Sequence, residues 1–110
     1  MSIEDAGSID GLGVSKVDGK VVLVISDHLD WVDERHHFDL LERKIGGYLG
    51  FIKSGQLLAT VPDSQDRDVR IELVHQFLPG ETASLFFAAA ELQLRTMGVE
   101  LTYKELPEGY

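Results

Sequence analysis

The sequence predicts one α+β domain, a two-layer sandwich with two helices on one face of a four- or five-stranded mixed or antiparallel sheet. Three observations carry this. Residues 69–77 alternate apolar and polar side chains, the period of a half-buried strand. Two longer segments carry apolar residues three and four apart, the period of a helix packed on one side. Glycine, proline and Asp-Gly pairs separate these segments at the spacing of strand–helix connections.

Residues 1–8 are polar and acidic and are expected to form a flexible arm ahead of a domain at 9–106, with 107–110 as a tail. The first strand is expected at about Leu12–Val17. Asp18-Gly19 then joins it to a second strand at Lys20–Ser26, since the pair suits a type I′ turn with positive φ at both central residues. The second strand contains the continuous apolar run Val21–Ile25, which calls for cover on both faces.

A long helix follows at about Asp33–Ser54. Phe38, Leu41, Ile45, Tyr48 and Ile52 form its apolar stripe, and Gly55 suits the left-handed position beyond its end. Gly46, Gly47 and Gly50 inside it each cost about 1 kcal/mol relative to alanine. They are expected where the helix approaches the sheet closely; contact with a second helix is the other explanation.

"LLATV" at 57–61 suits a short edge strand. Val69–Phe77 is the clearest strand, with Val69, Ile71, Leu73, His75 and Phe77 on one face. Pro79-Gly80 opens a second helix at about Glu81–Met97, ended by Gly98, and Val99 begins a last alternating strand. Pairing of 57–61 with 69–77 would make the order ferredoxin-like; without that pairing the crossovers produce a more parallel sheet.

The 110-residue chain contains 19 Asp and Glu against 10 Lys and Arg, a formal net charge of −9. No basic cluster is present to meet phosphates, so neither nucleic acid nor membrane is expected as a partner. The charge suits solubility, and a basic protein partner is the specific alternative. Cysteine is absent, which excludes thiol catalysis, disulfides and cysteine-ligated metals and fits a reducing cytosol. No secretory signal is visible, and the apolar runs are too short to span a bilayer.

The second helix has more apolar residues than one buried face needs. Ala83, Phe87, Ala90, Leu94 and Met97 form one stripe; Leu85, Ala89 and Leu92 form another beside or behind it. Val22, Val24 and Val74 add apolar side chains to the outer sheet face. An uncovered surface of this kind predicts a homodimer.

Chemistry-bearing residues concentrate in "SDHLDW", residues 26–31. Asp27, His28, Asp30, Trp31 and the helix residue His37 are the candidate binding residues. Carboxylate and imidazole groups suit metal binding or proton transfer. Adjacent His36 and His37, however, diverge by about 100° on a helix, and no i, i+4 histidine pair occurs. Asp27 and Asp30 better suit turn or N-cap acceptors, and Trp31 an apolar plug beside the first helix. His75 reads as a core histidine with one hydrogen bond. No catalytic residue, metal site or cofactor is expected.

In "GKVVLVISDHLDW", in "LLERKIGGYLGFIKSGQ" with Tyr48, Phe51 and Gly55, and in the closing strand–helix–Gly–strand, the chain resembles a small bacterial family of unknown function. The resemblance covers about residues 9–105. It implies a bacterial cytosolic protein and supplies no activity.

The function expected is a small acidic cytosolic domain that binds or self-associates without catalysis. An immunity- or antitoxin-like protein masking a basic partner, and a metal-binding protein or enzyme using Asp27, His28 and Asp30, are the alternatives.

Overall fold

The computed structural model describes residues 3–5 and 7–105. Met1, Ser2 and Ala6 of the expected arm, the boundary at 106 and the tail at 107–110 lie outside the described residues.

Four strands, β1 (Gly11–Val14), β2 (Val21–Asp27), β3 (Val69–His75) and β4 (Val99–Glu105), form one sheet in the order β1-β2-β3-β4. β1 runs antiparallel to β2, while β2, β3 and β4 are parallel. The helices are α1 (Glu34–Lys53), α2 (Gln56–Thr60) and α3 (Glu81–Arg95), with a 3₁₀ turn at Pro62–Ser64. This is an α+β fold with a mixed four-stranded sheet.

It is not the ferredoxin-like order. Residues 57–61, read as a strand, belong to α2 and its C-cap Val61. Leu57 is buried there, so the helical turn packs this short apolar run without strand pairing. With no strand between them, α1 and α3 each serve as the crossover of a parallel β-α-β unit.

The β1–β2 connection also differs from the two-residue turn. Val14 pairs with Val21, leaving six residues between the strands. The amide of Ser15 donates to the Lys20 carbonyl at 2.8 Å and that of Gly19 to the Ser15 carbonyl at 2.9 Å. Gly19 has φ of 73°, whereas Asp18 is not in the left-handed region a type I′ turn would require. Asp18 instead accepts from the Lys20 amide through Oδ1 and from Arg70 through Oδ2.

The sheet separates its faces by strand alternation. Val21, Leu23, Ile25, Ile71, Leu73, Val99 and Leu101 are buried with Leu41, Ile45 and Tyr48 of α1 and Ala83, Phe87 and Leu94 of α3. The opposite face carries a charged lattice: Arg70 meets Asp18 at 2.7 Å and Glu100 at 3.6 Å, and Lys104 meets Glu72 at 2.6 Å. Val22, Val24 and Val74 on that face are half-buried, so it is less apolar than the sequence suggests.

α1 starts and stops where its chemistry dictates. Asp33 is its N-cap, accepting from the His36 amide through Oδ1 at 3.2 Å. At the far end Ser54 caps the helix and Gly55 turns the chain with φ of 87°. Gly46 and Gly50 do not touch the sheet: both are exposed, and a Cβ at either would meet nothing within 4 Å. Close approach to the sheet is therefore not their role.

Candidate functional site

The corner between β2 and α1 gathers three of the expected site residues around one ring. Asp27 ends β2 on its buried face, and His37 lies in the first turns of α1. Asp27 Oδ2 lies 2.6 Å from His37 Nε2, with both side chains essentially inaccessible. The other imidazole nitrogen, Nδ1, lies 2.9 Å from the Asp30 carbonyl oxygen. A carbonyl only accepts, so Nδ1 carries a hydrogen and donates it. Trp31 stacks on the imidazole with centroids 3.7 Å apart and planes 19° from parallel. Its indole Nε1 donates to the Phe77 carbonyl at 3.2 Å, tying the corner to the segment after β3.

The two aspartates also turn back on the backbone. Asp27 Oδ1 accepts from the Leu29 amide and Asp30 Oδ1 from the Val32 amide, each at 3.1 Å. Asp30 is thus a turn residue; the helix cap is Asp33. His28 stands apart, exposed on the surface, with Nε2 3.0 Å from Glu4 Oε1. Asp27, His28 and Asp30 therefore do not converge on a cleft. The imidazole of His37 has both nitrogens engaged within the chain and a ring face under Trp31, which presents no lone pair to a substrate. Among the described residues no group of three or more His, Asp or Glu side chains is placed to hold a metal ion.

His75 pairs in register with Asp27 on one side and Glu105 on the other. It is buried, as its place in the strand implies, and its Nδ1 has no hydrogen-bond partner among the described residues.

A second polar cluster was not anticipated. Lys44 is fully buried on α1, and its ammonium donates to the Asp5 carbonyl at 2.5 Å, the Ser8 carbonyl at 2.8 Å and Asp10 Oδ1 at 2.9 Å. All three ammonium hydrogens have acceptors. Asp10 Oδ2 accepts from the Ser26 amide at 2.9 Å. One turn on from Lys44, the Tyr48 hydroxyl donates to the Val24 carbonyl and accepts from the Asp10 amide. Burial pushes the Tyr48 phenol up to about 12. Ile3, wholly buried, joins the same core, and its amide donates to the Ser26 carbonyl at 3.1 Å. The signal was present in the sequence: His37, Leu41, Lys44 and Tyr48 are spaced 4, 3 and 4, so Lys44 falls on the buried stripe.

The charged outer sheet face is anchored by Asp18. The Lys20 amide, then the Arg70 guanidinium, hold its carboxyl down at about 2, and Asp18 in turn raises Arg70.

The helical layer presents the remaining feature. α3 buries Ala83, Phe87 and Leu94, yet Leu85 is 67% exposed and Leu92 61% on its opposite side. Between α1 and α3 runs an open groove of about 500 Å³, lined by Ile45, Gly46, Leu49, Phe86, Ala90 and Met97 among others. Gly46 thus borders the space between the helices without closing it.

A family model described as a family of unknown function, DUF6572, matches residues 1–107. The chain belongs to the DUF6572 family. The match spans the buried corner, the Lys44 cluster and all four strands. No curated protein and no solved structure matches the chain. Membership in DUF6572 brings no activity with it, so function rests on the surfaces described above. No helix among the described residues is long and apolar enough to cross a membrane.

Proposed function

We propose that this chain is a small acidic, non-catalytic domain of the bacterial cytosol that works by self-association, as a homodimer joined through its helical layer. The observation that carries this is the second apolar face of α3. A helix laid on one side of a sheet needs a single buried stripe. α3 has that stripe and, on its far side, Leu85 and Leu92 in solvent, next to a groove with an apolar lining. Exposed apolar surface of this extent marks an interaction site on a small domain.

The buried corner supports the same reading. Its carboxylate and imidazole join β2 to α1, the Trp31 indole ties in the segment after β3, and of Asp27, His28, Asp30, Trp31 and His37 only His28 and Asp30 are exposed. The net charge of −9 keeps such a domain soluble while it carries an apolar face.

Sedimentation velocity from micromolar to near-millimolar concentration tests the proposal. The expected result is a mass moving from monomer toward dimer as concentration rises, or dimer throughout. A monomer at every concentration would refute it.

A further inference from the structure

The exposed face of α3 has an internal symmetry that goes beyond the statement that it is apolar. Leu85 and Leu92 are seven residues apart, two helical turns, and so lie on one face, with Ala88 and Ala89 between them. The pattern Leu-x-x-Ala-Ala-x-x-Leu reads the same from either end. A copy of α3 laid alongside in the reverse direction would set Leu85 against Leu92 of the other copy, and Ala88 against its Ala89.

We infer that two copies pair crest to crest through α3, antiparallel, about a two-fold axis between Ala88 and Ala89. The inference rests on the self-association proposed above and specifies its geometry. Two further observations select the reverse direction. Glu81 opens α3 and Arg95 ends it, both exposed. Antiparallel packing brings each Glu81 beside the partner's Arg95, twice per dimer, whereas parallel packing sets like charges together. Arg95 bonds Glu91 at 2.9 Å, but its side chain is 68% exposed and can reach a second carboxylate. The helix dipoles also oppose each other favourably in this arrangement.

The alanines at the centre permit close approach of the two backbones, to about 8 Å. The same patch serves both copies, so the contact closes at two and does not propagate. The groove shares Ala89 with this face and otherwise lies to the α1 side of it.

Because the chain contains no cysteine, any cysteine introduced is the sole thiol. Leu85→Cys and Leu92→Cys proteins, mixed and mildly oxidised, are expected to form the mixed disulfide several-fold faster than either protein alone forms its own. Ala88→Cys by itself is expected to cross-link, since it lies at the axis. Glu81→Arg is expected to raise the dimer Kd about tenfold, and adding Arg95→Glu to restore it.

Faster Leu85→Cys self-cross-linking would overturn the antiparallel pairing. So would a dimer dissolved by Gly46→Lys in the groove but untouched by Leu85→Glu. Both leave self-association standing, whereas a monomeric parent chain in sedimentation removes self-association and this geometry together.

Discussion

Lys44→Met is the most informative single change. The methionine keeps the volume of the aliphatic stem and removes the ammonium. Asp10 would then hold a carboxylate with 1% exposed side-chain surface, its Oδ2 on the Ser26 amide and its Oδ1 without a partner. The Ser8 carbonyl would lose the ammonium as donor, and the Asp5 carbonyl would keep the longer bonds from the Ser8 amide and hydroxyl. Removing one partner of a buried pair costs about 3–5 kcal/mol, because the other charge stays desolvated. Against a total stability of about 5–15 kcal/mol for a domain, that is a large share. Urea unfolding followed by circular dichroism would register it as a midpoint lowered by about 2 M, for a slope of about 1.5–2 kcal/mol/M. Adding Asp10→Asn removes the stranded charge and should recover about 1 kcal/mol or more. Proteolysis of the N-terminal segment should accelerate in the single variant, since Lys44 holds it through two carbonyls. A single variant within about 1 kcal/mol of the parent, or a double variant no better than the single, would falsify the claim that this pair is a dehydrated clamp.

Three further outcomes are expected. Tyr48 is raised in the folded state above its unfolded value of 10, so its contribution is complete below pH 10 and lost as pH climbs through about 12; Tyr48→Phe should flatten the alkaline limb of a stability–pH curve and cost about 1–2 kcal/mol at neutral pH. Asp33→Ala should destabilise by about 1 kcal/mol through loss of the α1 cap, with Asp30→Ala costing less; equal effects in thermal melts would count against Asp33 as the cap. Gly50→Ala should stabilise by about 0.5–1 kcal/mol, because the site is exposed, helical and open; a lowered melting temperature would show a contact that the structure does not contain.

The corner "SDHLDW" shows how far local chemistry can be read. Its aspartates are turn acceptors, and Trp31 is a plug, as residue types at a strand-to-helix junction imply. The cap itself moved to Asp33, because helix phase, and not acidity, decides which carboxylate faces the free amides. His37 shares the buried stripe of Leu41 and Tyr48 by spacing, but that it meets Asp27 there depends on the angle at which α1 leaves β2, which no periodicity encodes.

Periodicity by itself determined the two long helices, the strand beginning at Val69 and the double apolar character of α3, since burial of one face is written at fixed spacing along the chain; that strand ends at His75, and Phe77, expected on its buried face, lies beyond it and is exposed. Short segments escaped it: five apolar-rich residues at 57–61 fit a strand or a helical turn equally well, and only packing beside α1 made them α2. The tertiary structure alone decided the parallel order of β2, β3 and β4, and the pairing of Lys44 with a segment more than thirty residues earlier in the chain. Strand order and buried ion pairs depend on contacts between distant parts of the chain, and their energies are set by the absence of water there, a condition that exists only once the fold has closed.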